Sequence, residues 1–155
     1  MKKEKQYWLL KTEPTAYSIE DFKKDKKTLW TGIRNYQARN FIRSMKKGDL
    51  FLFYHSGDNP PAVVGVGKVL ASACADPTQF ALKDSHFDPK ATKENHIWSA
   101  IEVGFVKKFK KPVGLPNIKT HSSLKNMVVA QRGSRLSVQP VLEKHFHFFT
   151  KRIDL

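Results

Sequence analysis

Short apolar runs separated by turn residues constrain the fold of this chain more than any other feature. The clearest runs are residues 7–10, 50–54 and 62–64, and each is followed within a few residues by proline, glycine or charge. Runs of this length predict strands, and they are far shorter than the roughly 18 apolar residues needed to span a bilayer. We therefore expect a single α+β domain over residues 1–155, with a curled, largely antiparallel sheet and short helices.

Capping residues predict the first and last helices. Ser18 followed by Asp21 fits a capping box, which predicts a short helix over residues 18–24. Pro140 suits a first helical position, so the final helix is predicted to begin there.

The clearest helical periodicity lies in residues 34–47. Apolar side chains recur there at i, i+3, i+4 and i+7, with Asn35 as N-cap and Gly48 as the C′ residue. An N-terminus at this point, next to Arg34, has free N–H groups and a positive dipole end that can hold an anion.

A hairpin is predicted from strands over residues 50–56 and 62–72. Gly65 and Gly67 interrupt the second strand and indicate a bulge or a close backbone approach. Residues 76–97 are predicted to form a long ordered loop with one helical turn. Further strands are predicted at residues 98–109 and 127–130.

Charge is the dominant feature of the composition. The chain has 28 Lys and Arg against 14 Asp and Glu, a formal charge of +14, while hydrophobic residues make up 40%. That apolar content excludes a disordered polycation, and the charge predicts an anionic partner. The lysine run at 107–111 supplies unspecific attraction, although such runs more often form solvated faces.

Other classes of site lack the residues they need. The histidine spacing fits no metal site, no glycine-rich nucleotide loop is present, and Cys74 is the only cysteine and is predicted to be buried. We expect no metal and no cofactor. The N-terminus does not resemble a secretory signal, so a cytoplasmic location is expected, or a nuclear one in a eukaryote, with no membrane contact and a monomer favoured.

Planar and amide side chains are concentrated in the sequence WTGIRNYQARN at residues 30–40. Aromatic rings can stack on a base, amides can match a base edge, and arginine can take a phosphate. The alternative is that Trp30 and Tyr36 are core aromatics and Asn35 is only a helix cap.

Several motifs, in order along residues 6–150, resemble the EVE domain family. They are YWLLKTEP at 7–14, WTGIRNYQARN at 30–40, FYHS at 53–56, DP at 88–89, Trp98 and RLSVQPV at 135–141. The resemblance implies a PUA-like fold, a small mixed β-barrel flanked by short helices. It also implies a pocket for modified bases in DNA or RNA, without an established catalytic activity.

The resemblance, with the chemistry above, assigns candidate residues for binding a base or a phosphate. They are Trp30, Gly32, Arg34, Asn35, Tyr36, Gln37, Tyr54, His55, Ser56, Asp88, Trp98, Arg132, Arg135 and Ser137. The hypothesis is a non-catalytic nucleic-acid-binding module that sandwiches one base against Trp30, and Trp30→Ala is expected to weaken binding without unfolding the protein. Two alternatives stay open: an enzyme acting on a nucleotide or modified base through His55 or Asp88, and a basic protein–protein adaptor.

Overall fold

The computed structural model of the chain describes residues 5–133 and 135–153. These residues form a seven-stranded sheet and four α-helices, so the predicted α+β class is confirmed. The strands are β1 (Tyr7–Thr12), β2 (Lys27–Trp30), β3 (Leu50–His55), β4 (Ala62–Val69), β5 (Cys74–Ala75), β6 (Ser99–Gly114) and β7 (Val138–Val141). The helices are α1 (Ile19–Asp25), α2 (Tyr36–Ser44), α3 (Leu115–Thr120) and α4 (Glu143–Ile153).

The sheet has the order β2-β6-β4-β3-β1-β7, and the short strand β5 pairs with β6. Only the β1–β3 pair is parallel among the pairs that the described residues form. In the same part of the chain the edge strands β2 and β7 do not pair with each other, so the sheet is not closed into the expected barrel.

Two apolar clusters cover the faces of the sheet. Side chains alternate along β1, so that Trp8 and Leu10 belong to one cluster and Leu9 to the other. Strand β1 is therefore buried on both faces, as expected for an inner strand without polar alternation.

The predicted disturbance at Gly65 and Gly67 is confirmed. The register between β4 and β6 shifts at Val63/Gly65 and again at Val66/Gly67. A Cβ atom at Gly67 would overlap the Phe51 ring, so only glycine fits this close approach.

The predicted N-caps of α1 and α2 are both confirmed. Ser18 and Asp21 form the capping box of α1, and Oδ1 of Asn35 accepts a hydrogen bond from the backbone N–H of Ala38 at 2.9 Å. Helix α2 ends earlier than predicted, at Ser44, and Gly48 lies in the turn that follows, at φ +98°.

Three local predictions are wrong. Residues 127–130 form no strand but include a 3-10 turn, Val128–Ala130. Pro140 lies in the edge strand β7 opposite Trp8, where a missing N–H is tolerated, and helix α4 begins only at Glu143. Cys74 is exposed rather than buried.

The segment 76–97 is the predicted ordered loop, with its one helical turn at Pro77–Phe80. Buried Gln79 holds it in place: its amide nitrogen donates to the carbonyl oxygens of Asp76 and Trp98, each at 2.7 Å. Its amide oxygen accepts from the backbone N–H groups of Ile97 and Trp98. Among the described residues, none of the helices combines the length and apolar composition that crossing a bilayer requires.

Candidate functional site

A cavity of about 530 Å³ lies where β2 ends and α2 begins, and we call it the β2–α2 cavity. Its volume falls within the range of roughly 300–1,000 Å³ that is typical of small-molecule sites. Five of the predicted binding residues line it: Trp30, Gly32, Arg34, Asn35 and Ser137. Tyr17, His86 and Lys11 also line it, from three other parts of the chain.

Trp30 lines this cavity, but most of its ring is packed in the core and is not accessible for stacking on a base. Its side chain is 8% exposed, and its ring packs edge-on against Phe53 at 5.4 Å and Tyr17 at 6.3 Å between centroids. Burial and a hydrogen bond to Asp25 raise the pKa of Tyr17 to about 12, so its phenol stays neutral. Trp30→Ala would therefore remove core packing, at about 3–5 kcal/mol, and cannot isolate a contribution to binding.

The carboxylate of Asp76 holds two residues that line the cavity, Gly32 and Arg34. One oxygen accepts from the backbone N–H of Gly32 at 2.8 Å and from Arg34 at 3.0 Å. The other accepts from the N–H and the hydroxyl of Thr78, at 2.7 and 2.6 Å. Burial opposes ionisation, but these hydrogen bonds outweigh it and lower the pKa of Asp76, which stays charged.

All five N–H groups of the Arg34 guanidinium are used within the protein. Besides Asp76, they donate to the carbonyl oxygens of Ile33 and His86 and to the hydroxyl of Thr78. The guanidinium also lies over the Trp98 ring at 5.3 Å. Arg34 thus ties the 76–97 loop to the β2–α2 segment.

Gly32 lets this loop approach closely. Its φ is +81°, and a Cβ atom there would lie 2.9 Å from Nε2 of His86. Nδ1 of His86 lies 3.1 Å from the carboxylate of Asp84, which favours a proton on Nδ1. In the neutral ring Nε2 is then a hydrogen-bond acceptor beside the cavity.

Asn35 combines two roles at the mouth of the cavity. Its oxygen caps α2, so its NH₂ group is the part left for another partner. Within the part of the chain that the structure describes, the one side-chain hydrogen bond of Asn35 is the one its oxygen accepts from Ala38. Asn35 is exposed and can therefore donate to a ligand.

Other predicted residues lie beside the β2–α2 cavity but do not line it. Tyr36 stacks on Trp98 at 4.9 Å between ring centroids, and Trp98 donates to Asp88 at 2.8 Å. That hydrogen bond lowers the pKa of Asp88. Arg39 covers the Tyr36 ring at 4.8 Å, and Gln37 is exposed on α2. Because Asp88 belongs to the 76–97 loop and Tyr36 to α2, these contacts hold the loop against the helix.

The residues at the end of β3 lie elsewhere. Tyr54 is buried in the core, and the N–H of Ser56 donates to the carbonyl oxygen of Thr12. His55 lines a second cavity, of about 580 Å³, and its Nε2 accepts from the N–H of Ile19 at 3.0 Å. Burial lowers the pKa of His55, with Asp58 opposing the shift.

Arg132 and Arg135 are exposed in the segment that precedes β7 and Ser137. Neither lines the β2–α2 cavity. Contact of these arginines, or of the residues near Tyr36 and Tyr54, with a ligand stays a prediction.

Sequence reasoning missed four residues of the site. Asp76 had a usable signal, since an aspartate before Pro77 and Thr78 is typical of a helix N-cap. Lys11, Tyr17 and His86 are brought to the cavity only by tertiary contacts, and no local pattern marks them.

Comparison with known proteins places the chain in a family. Residues 6–152 match the EVE domain. Thymocyte nuclear protein 1 of Gallus gallus is 43% identical over 92% of this chain and 66% of its own length, and the human protein is 39% identical over 92% and 71%. The chain thus spans about two-thirds of the length of these curated relatives.

Solved structures agree with this match. A Pseudomonas syringae protein has a TM-score of 0.90 and 44% identity, over 94% of this chain and 98% of that one. The human THYN1 protein, crystallised in complex with DNA containing 5-methylcytosine, has a TM-score of 0.88 and 37% identity, over 97% and 98%. The PUA-like fold is confirmed by these likenesses, and the chain belongs to the EVE domain family.

Proposed function

We propose that this chain is a nucleic-acid-binding module that holds one base, modified in its preferred ligand, in the β2–α2 cavity. The observation that carries the proposal is the cavity itself, which brings aromatic, amide, hydroxyl and cationic groups together at the start of a helix. The human relative's complex with 5-methylcytosine DNA supports the class of ligand.

The aromatic wall suits a flat heterocycle. Trp30 is fixed by its packing, whereas Tyr17 is half-buried and has a neutral phenol. Contact with such rings is worth roughly 1–3 kcal/mol per base and depends little on which base is bound. These rings therefore contribute affinity but do not discriminate between bases.

Hydrogen-bonding groups at the cavity can read the edge of the base. The NH₂ group of Asn35 is a donor, the hydroxyl of Ser137 can serve as donor or acceptor, and Nε2 of His86 is an acceptor in the tautomer that carries its proton on Nδ1, beside Asp84. A base edge that offers both an acceptor and a donor, as that of cytosine does, matches this set.

Positive groups suit the phosphates on either side of the base. Lys11 lines the cavity, and burial lowers the pKa of its amine, so an adjacent phosphate would favour the charged form. Asn35, the N-cap of α2, lines the cavity, so the positive end of the helix dipole begins beside it.

Arg34 has a positioning role in this proposal rather than a phosphate contact. Its five N–H groups are already engaged, and it holds His86 and the 76–97 loop at the cavity. Preorganisation of this kind lowers the entropy that a ligand would lose in ordering the loop.

The test is the affinity of the purified protein for matched oligonucleotides that carry either cytosine or 5-methylcytosine at one position, at two salt concentrations. We expect tighter binding of the methylated strand, weaker binding of both at high salt, and recovery of unchanged oligonucleotide. Equal affinity for both would contradict recognition of this modification, and conversion of the oligonucleotide would indicate an enzyme instead.

A further inference from the structure

Leu82 is the most exposed large apolar side chain in the described part of the protein. It is 82% exposed, whereas Tyr36 and Leu142, the next in order, are each 60% exposed. A side chain this exposed contributes little to folding stability, since almost none of its apolar surface is removed from water.

The turn that carries Leu82 is held in a fixed position. The N–H of Asp84 donates to the carbonyl oxygen of Ala81 at 2.9 Å, which places Leu82 and Lys83 at the tip of a four-residue turn. The carboxylate of Asp84 then accepts from the N–H of His86 at 2.8 Å. Arg34 fixes the carbonyl oxygen of His86 through two hydrogen bonds.

This turn adjoins the lip of the β2–α2 cavity. His86 lines the cavity, and Leu82 precedes it by four residues, which limits the distance between their Cα atoms to about 14 Å. Lys83, next to the leucine, is exposed and can approach a phosphate.

We propose that Leu82 is an apolar wedge that enters a duplex at the place left by the base bound in the cavity. This inference rests on the proposed function. A base taken out of a duplex leaves the faces of its neighbours exposed, and an inserted apolar side chain covers them. Because the turn is fixed before binding, little conformational freedom is lost when the side chain inserts.

The experiment compares two probes with three proteins. The probes are a duplex with one 5-methylcytosine and the same methylated strand alone, and the proteins are the wild type, Leu82→Ala and Leu142→Ala. Leu142 is the matched control because it lies at the opposite end of β7 from Ser137. We expect Leu82→Ala to weaken duplex binding about tenfold and to leave single-strand binding unchanged. Leu142→Ala should match the wild type with both probes.

Two results would overturn the wedge alone: wild-type affinity of Leu82→Ala for the duplex, or an equal loss with duplex and single strand. Failure of the wild-type protein to bind either probe would overturn the proposed function and the wedge with it.

Discussion

Asp76 and Arg34 form an ion pair at 3.0 Å that joins the start of the 76–97 loop to the segment between β2 and α2. The Asp76 side chain is fully buried and that of Arg34 is 22% exposed. Since the same arginine holds the carbonyl oxygen of His86, this pair determines where the loop lies relative to the cavity.

Replacing Asp76 by alanine is expected to destabilise the protein strongly. The substitution leaves Arg34, Thr78 and the N–H of Gly32 without their acceptor, and loss of one partner of a buried pair costs about 3–5 kcal/mol. Because Arg34 keeps some access to water, we expect the lower end of that range, about 3 kcal/mol, in urea unfolding.

Glu94→Ala is the control for this prediction, since Glu94 is an exposed carboxylate in the same loop. Its free energy of unfolding should change by less than about 0.5 kcal/mol. If Asp76→Ala is as stable as Glu94→Ala, the loop is not held by this carboxylate.

The sequence predicts features whose cause is local. The capping box of Ser18 and Asp21 and the N-cap at Asn35 depend on groups three residues away, and both form as predicted. Gly67 was recognisable because a glycine in an apolar strand usually marks a close approach, here of Phe51.

Some predictions failed because they depended on tertiary context. Proline is tolerated both at the start of a helix and in an edge strand. At Pro140 only the pairing with β1 decides between the two. Residues 127–130 are apolar because Met127 and Val129 pack into the core from a 3-10 turn, which periodicity cannot distinguish from a short strand. His86 reaches the cavity through Arg34 and Gly32, distant in sequence, so no local pattern marked it.

Gly32→Ala is expected to cost more stability than Gly48→Ala. Both glycines have positive φ, which costs a side chain about 1–2 kcal/mol, but only at Gly32 would the new Cβ meet a neighbour, the His86 ring. The difference between the two unfolding free energies isolates that contact. The imidazole NMR signals of His86 should shift in Gly32→Ala alone. Equal costs and unshifted signals would indicate that His86 does not pack on Gly32.

Stability should fall as the pH drops below about 6.5, because burial lowers the pKa of His55 and of His145. Well above that pH both histidines are neutral in the folded and unfolded states. Below it the unfolded chain binds protons more readily, and a protonated His55 can no longer accept from Ile19.

His55→Gln removes one of these titrations while an amide oxygen can still accept from Ile19. We therefore expect its melting temperature to fall less than that of the wild type between about pH 7.5 and about pH 5. His145 should account for part of the remaining fall. Identical pH profiles would show that His55 does not titrate differently on unfolding.

Arg135 provides a test of the electrostatic part of the proposed function. It is exposed two residues before Ser137, which lines the cavity. If Arg135 contacts a phosphate, Arg135→Ala should lower the slope of log affinity against log salt concentration by about 1. Lys119→Ala, an exposed cation on α3, should leave the slope unchanged. Equal slopes for both variants would exclude Arg135 from the interface.

Asn35 allows helix capping and ligand contact to be separated. Serine is also a good N-cap but has no NH₂ group, so Asn35→Ser should retain stability within about 0.5 kcal/mol, whereas Asn35→Ala should lose about 1 kcal/mol. The affinity of Asn35→Ser for an oligonucleotide with 5-methylcytosine is the most direct test of a base in the β2–α2 cavity. Loss of one hydrogen bond predicts binding weaker by about tenfold. Wild-type affinity in this variant would contradict the assignment of the base to that cavity.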